Sequence, residues 1–283
     1  MCSIFGMLFF NGVVPTTEHR GILTRLMLAG QTRGTDATGL SFAKKDEVVG
    51  YKLNVSAAEL LDLEGTSKVI NDNLNSEMGG GKLYSIIGHT RQKTQGSPIN
   101  PDNNHPISCG SLIGVHNGHI GNDNDIFEWL SLVSDGLRKR KAQVDSEAIF
   151  ALIRYYAEDY KNDFYATKPN KRATLTNPVV KAIIKAVPRL RGSLACAMHD
   201  IENPKALWLF RTSNPIVVKY YKAENMVIFA STVNMINNAI GPTKFSMPDD
   251  IAIDRNKGLC FNMETSNYNR FTLESLSYSS DQF

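Results

Sequence analysis

The chain has 283 residues, 42% of them hydrophobic and 21% charged, with a formal net charge of +3. That length can bury a large core in one domain or two small ones, and so modest a charge does not by itself imply a nucleic-acid partner. No apolar run is long enough to span a membrane, and the stretch Ile4 to Phe10 lacks the basic leader of a secretory signal. Four widely scattered cysteines, Cys2, Cys109, Cys196 and Cys260, do not make a disulfide scaffold, so the expected setting is a reducing cytoplasm.

In chain order, Ile4 to Phe10 predicts a buried strand that ends at the turn Asn11-Gly12. Ile22, Leu23, Leu26 and Met27 recur at three- and four-residue spacing, which predicts a helix from Glu18 to Gln31. Leu40 to Phe42 and Val48 to Leu53 fit a hairpin, and Ala57 to Leu74 fits helical segments. After Gly79-Gly80-Gly81 come two further strands, Leu83 to Ile87 and Ser111 to Val115, the second followed by a tight turn at Asn117-Gly118. Arg138-Lys139-Arg140-Lys141 is the one dense basic run, expected on a solvated loop or helix end, with phosphate or partner docking as the weaker reading.

A helix is expected from Ser146 to Tyr160, with Ile149, Leu152, Ile153 and Tyr156 as its buried stripe. Asn162 to Asn177 reads as a loop or insertion, and Val180 to Val187 as a short helix. Strands are then expected at Ser193 to Met198, Ala206 to Phe210, Ile216 to Lys219, Val227 to Ala230 and Gly258 to Phe261, before a polar tail. Strands and helices without regular βαβ alternation imply an α+β domain covering residues 1–283.

Cys2 directly follows Met1. If Met1 is removed, one residue carries a thiol, a strong nucleophile once ionised, and an α-amine whose pKa near ~7.7–8 suits a base at neutral pH. Arg91 stands just past an apolar strand in a loop bounded by Gly88 and Gly96. Its planar fork can grip a carboxylate, although a lone Arg is more often a surface ion pair. The Asn117 amide and the Gly118 N–H could supply two donors to an oxyanion, against the plainer reading of a hairpin turn. Asp145 could cap the helix that follows or hold a substrate ammonium.

Met1-Cys2-Ser3-Ile4-Phe5-Gly6, Arg33-Gly34-Thr35-Asp36-Ala37-Thr38-Gly39, Gly88 to Gly96, Asn104-His105-Pro106-Ile107, His116-Asn117-Gly118-His119-Ile120 and Asp145-Ser146-Glu147 follow one another in an order that resembles the class II glutamine amidotransferases, which are N-terminal-nucleophile hydrolases. The resemblance covers roughly residues 2–240, leaving 256–283 as a C-terminal strand and polar tail. It implies a four-layer αββα sandwich of two antiparallel sheets flanked by helices. It also implies a glutaminase that works through a Cys2 thioester, without a cofactor, in a chain with no room for a fused synthase domain, so that a separate ammonia-accepting synthase would be the partner.

By the same resemblance Cys2 is the nucleophile and Asn117 with Gly118 form the oxyanion hole. Arg91, with Thr94 nearby, takes the glutamine α-carboxylate, Asp145 takes the α-ammonium, and Arg33 supports the N-terminal residue. Ser3 departs from the pattern, which has Gly after the nucleophile. A metal site built from His105, Cys109, His116 and His119 matches no standard zinc spacing. Two alternatives remain, an N-terminal-nucleophile acylase acting on another amide and a non-catalytic protein of the same fold.

Overall fold

In a computed structural model the described residues are 2–74, 82–134, 139–167 and 178–273. The triple glycine at 79–81, Arg138, the second part of the expected loop at 162–177 and the tail beyond 273 lie outside them. Strand β1 (Ser3–Val13) leads into helix α1 (Thr17–Gln31), the hairpin β2 (Ala37–Lys44) and β3 (Val48–Leu53), helices α2 (Ala57–Asp62) and α3 (Glu64–Leu74), and strand β4 (Leu83–Arg91). Next come β5 (Ile107–Cys109), β6 (Leu112–Ile120), α4 (Asp123–Val133), α5 (Ser146–Thr167) and α6 (Pro178–Ala186). The chain continues through β7 (Gly192–Asp200), β8 (Ala206–Arg211), β9 (Val217–Tyr221), β10 (Met226–Ala230), α7 (Val233–Ile240), β11 (Asp249–Asp250), β12 (Lys257–Asn262) and β13 (Asn267–Thr272).

The strands form two antiparallel sheets, β11-β9-β10-β1-β4-β2-β3 and β13-β12-β8-β7-β6-β5. Three apolar layers explain the stacking. Phe5, Met7 and Phe9 point from β1 onto Ile22, Leu26 and Met27 of α1 and onto Met235 of α7. Ile4 and Leu8 point the other way, against Val115, Ala197 and Leu209 of the second sheet. The far face of that sheet packs Trp208 and Phe210 on Ile149, Phe150 and Ile153 of α5 and on Ile183 of α6. The period of two in β1 thus serves two cores at once, and each fully buried Phe or Leu contributes about 1.5–3 kcal/mol. The result is the αββα sandwich, with β1 central in its sheet.

Helix α1 starts where a capping box can form: the Thr16 hydroxyl accepts from the His19 N–H and the His19 ring accepts from the Thr16 N–H. Several expectations are corrected. β1 does not stop at Asn11-Gly12 but bulges there, with Asn11 in the left-handed region, and runs on to Val13. β4 continues past Ile87 to Arg91, because the polar His89 and Arg91 are buried between the sheets. Asn117-Gly118 is no turn: both residues lie inside β6, paired with Ala195 and Leu194 of β7. α5 extends through Thr167, into the segment expected to be a loop. Lys139 to Lys141 do form a loop, but Arg140 turns inward, 2.6 Å from Asp123 and over the ring of Phe127.

Candidate active site

Cys2 sits at the entrance to β1, with Ser3 paired to Thr90, so it lies beside the end of β4 that carries Arg91. Its sulfur accepts from the Gln92 N–H at 3.4 Å and lies 3.5 Å from the Gln92 carbonyl. Burial pushes the thiol above its ordinary range, the Gln92 hydrogen bond and the Arg91 charge pull it down, and the Asp145 carboxylate pushes it up.

The Arg33 to Asp36 segment braces this corner. Arg33 Nε donates to the Cys2 carbonyl at 3.2 Å. At Gly34 a Cβ would collide with the carbonyl carbon of Arg91 and come within 2.6 Å of Gln92 N, so only glycine lets the two backbones approach. The Asp36 N–H donates to the Arg91 carbonyl at 2.9 Å. The Asp36 carboxylate accepts from the Lys93 N–H at 2.6 Å and from Gln92 Nε2 at 3.1 Å.

Arg91 is 3% exposed, and its guanidinium is engaged by the loop that follows. It donates to Asn104 Oδ1 at 2.8 Å and to the carbonyls of Gly96, at 2.8 Å, and Gln95. Lys52 Nζ clamps the same loop through the carbonyls of Asn104 and Pro106, at 2.7 and 2.9 Å. Burial lowers the Arg91 pKa, while Cys2, Asp36 and Asp145 favour its charge. Thr94 lies two residues past Gln92 on an exposed bend.

Asn117 and Gly118 face this corner from the second sheet, where His89 Nε2–H, next but one to Arg91, donates to the His116 carbonyl at 3.1 Å. The Asn117 carbonyl accepts from Asn214 Nδ2 at 2.9 Å, while its side-chain amide makes no hydrogen bond among the described residues. Leu194, opposite Gly118, gives its N–H to Thr212 Oγ1 and its carbonyl to Thr212 N–H. The Gly118 N–H therefore has no ladder partner on β7 and points off the other edge of β6. A Cβ at Gly118, whose φ is +156°, would collide with the Ser193 carbonyl oxygen.

Asp145 precedes α5 and is buried. Oδ2 accepts from the Ile120 N–H at 2.6 Å and lies 3.5 Å from His119 Nδ1. The Glu147 carboxylate accepts from the Lys141 and Ala142 N–H groups and fixes the loop before α5. The Asp145 carboxylate acts electrostatically on both the Cys2 thiol and the Arg91 guanidinium. His105 stacks on His89, ring centroids 4.0 Å apart, and both His105 nitrogens are buried without a hydrogen-bond partner among the described residues. Among the described residues no group of His, Cys, Asp and Glu is placed to hold a metal.

Of the supporting groups, Asn214 was not singled out from the sequence. Asp36, Gln92, His116 and Ser146 lie inside the motifs quoted above, with His116 weighed only as a metal ligand, but their contacts depend on residues far away in the chain.

No protein-family model matches the chain. Glutamine–fructose-6-phosphate aminotransferase (isomerizing) of Pyrobaculum aerophilum is 29% identical over 229 residues, covering 80% of this chain and 32% of that protein. The enzyme of the same name from Clostridium tetani is 29% identical over 220 residues, covering 77% of this chain and 30% of that one. A glutamine phosphoribosylpyrophosphate amidotransferase from B. subtilis, solved with ADP and GMP, superposes on 96% of this chain and 49% of its own, with a TM-score of 0.64 and 15% identity. A second structure, an allosteric regulatory enzyme of purine biosynthesis, does so with a TM-score of 0.64 and 16% identity. The chain thus spans about a third of the length of the curated relatives it matches. In sequence the chain is similar to glutamine–fructose-6-phosphate aminotransferases, and in fold to the glutamine phosphoribosylpyrophosphate amidotransferase.

Proposed function

We propose that the chain hydrolyses the side-chain amide of glutamine and that Cys2, freed of Met1, is the nucleophile. The observation that carries this reading is the position of the Cys2 sulfur, 3.4 Å from the N–H of the residue after Arg91 and within electrostatic reach of Asp145. A free amino acid carries one charge of each sign beside its α-carbon, and this corner offers the opposite pair. Glutamine's carboxylate would meet Arg91, displacing the carbonyls of Gln95 and Gly96 from the guanidinium, with Thr94 on the same loop. Its ammonium would meet Asp145.

The thiol proton passes to the Cys2 α-amine and the sulfur attacks the amide carbon. Negative charge develops on the amide oxygen, where the free Asn117 amide and the Gly118 N–H donate. The C–N bond breaks, the α-ammonium protonates the leaving nitrogen, and ammonia departs from a thioester. Water, activated by the same amine, adds to the thioester. The C–S bond breaks, glutamate leaves, and the thiol regains its proton.

The ammonia would pass to an acceptor, because hydrolysis without one consumes glutamine to no purpose. The matched relatives, whose names describe transfer to fructose 6-phosphate, support a transfer role of this kind.

The test is hydrolysis of glutamine, asparagine and N-acyl substrates, read as release of glutamate, of aspartate and of the free amine respectively, by the wild type and by Cys2→Ala. The reading requires activity on glutamine that disappears in Cys2→Ala. Activity confined to N-acyl substrates, or retained without the thiol, would refute it.

A further inference from the structure

His116 is the best-connected side chain beside the candidate oxyanion donors. It is 2% exposed and points from β6 toward α5. Nδ1 lies 2.8 Å from Ser146 Oγ, and Nε2 lies 3.3 Å from the Ser193 carbonyl oxygen. The same Nε2 sits against Gly118, where a Cβ would come within 2.6 Å of it. Ser146 Oγ is in turn 3.4 Å from Asp145 Oδ1. The ring therefore lies against Gly118 on one side and meets, on the other, the hydroxyl of the residue that follows Asp145.

Elementary hydrogen-bond chemistry fixes the state of this ring. A carbonyl oxygen can only accept, so Nε2 must carry a proton. Burial disfavours the imidazolium, with Asp145 opposing that effect, so the neutral ring presents a bare Nδ1. Ser146 must then donate to Nδ1, and Asp145 Oδ1 is the alternative acceptor of the same proton. A flipped ring of the same tautomer would place a bare nitrogen against the Ser193 carbonyl, which favours the observed orientation.

We infer that His116 and Ser146 are positioning residues of the amide-hydrolysis site, the Ser146 hydroxyl holding the His116 ring and so tying the strand that carries Asn117 and Gly118 to the start of α5, directly after Asp145. This rests on the hydrolase reading above. Neither residue touches the reacting atoms. Their effect is to set the distance between the donors that receive the amide oxygen and the carboxylate that anchors the other end of the same substrate. A misplacement on the order of 1 Å in such a pair costs ~10²-fold in rate.

The test compares wild type, Ser146→Ala and Ser146→Thr in glutamine hydrolysis, with thermal unfolding to show that each variant folds. Ser146→Ala should lower kcat and raise the KM for glutamine, together reducing kcat/KM by about 10–100-fold. Ser146→Thr keeps the hydroxyl and should recover most of the loss. The inference fails if Ser146→Ala leaves both constants within about twofold of wild type, or if Thr is as impaired as Ala, since that would point to packing alone. Nitrogen-15 NMR of histidine-labelled wild type, assigned with His116→Gln, gives a reading independent of the serine variants. A neutral, Nε2-protonated His116 supports the link, and an Nδ1-protonated or charged ring overturns it. Wild type that releases no glutamate from glutamine refutes the hydrolase reading, and the NMR result still decides whether the link exists.

Discussion

The sulfur of Cys2 lies 3.4 Å from the backbone nitrogen of Gln92, and Gly34 packs directly under that same peptide. The contact exists because β1 and β4 are neighbours in register and because the Gly34 backbone can come close enough to brace the end of β4. A methyl group at residue 34 must push Arg91 and Gln92 away. Gly34→Ala is predicted to cost ~1–3 kcal/mol of stability from overpacking, yet about 10²-fold in kcat/KM, because the thiol and the guanidinium lose their relative position. Paired thermal melts and glutamine kinetics check this, and an active Gly34→Ala enzyme would contradict it.

Arg91 is expected to discriminate for an α-carboxylate. Replacing its planar fork with the point charge of lysine loses parallel hydrogen bonds worth about 1.5–3 kcal/mol, so Arg91→Lys should raise the KM for glutamine about 10–100-fold. Glutaminamide, which lacks the carboxylate, should be a poor substrate for the wild type and no worse for the variant. Equal loss on both compounds would assign Arg91 to the scaffold alone.

Asn117 is predicted to act on the transition state rather than on binding. Its side-chain amide is unengaged among the described residues while its carbonyl is held by Asn214. Asn117→Ala should leave the KM for glutamine close to wild type and reduce kcat by ~10²–10³-fold. Wild-type turnover in this variant would remove Asn117 from the oxyanion hole.

Acid should destabilise the fold from its interior. Burial lowers the pKa values of His89 and His199 to about 3, and that of His105 well below its ordinary value. His199 lies between Ser41 and Ser85 and joins the two sheets, at 3.2 and 2.8 Å. A depressed folded-state pKa means that the unfolded chain binds protons first, below ~6.5. The stability contributed by keeping these rings neutral is therefore complete above that pH and is lost as pH falls toward about 3, at on the order of 1 kcal/mol per pH unit for each ring. Urea unfolding at pH 7.5 and pH 5 measures this. His199→Gln should flatten the dependence, and an unfolding free energy indifferent to pH over that interval would contradict the assignment.

The large apolar periodicities were legible in the sequence. Ile22, Leu23, Leu26 and Met27 mark the buried face of α1, and the apolar run Ile4 to Phe10 marks a buried strand. Where polar residues serve the interior, the pattern misleads. β4 reads as ending at Ile87 because His89 and Arg91 break its apolar run, although both are buried between the sheets. Asn117-Gly118 reads as a turn from composition alone. The glycine is needed instead because the Ser193 carbonyl and the His116 ring crowd it, a fact set by residues on another strand and helix. The exposed strand β13 and the short helix α7 escaped notice, the first for lack of an apolar face and the second for its brevity. The chemistry-bearing residue types were visible, but their meeting at one corner depends on sheet register.

The central claim is that an unblocked Cys2 thiol attacks a glutamine-like amide. Intact-mass measurement after incubation with a glutamine-mimicking electrophile tests it most directly. The account predicts a chain lacking Met1 and carrying one adduct, mapped to Cys2 and absent from Cys2→Ala. A chain that retains Met1 with Cys2 unmodified, or an adduct on Cys109, Cys196 or Cys260, would contradict it.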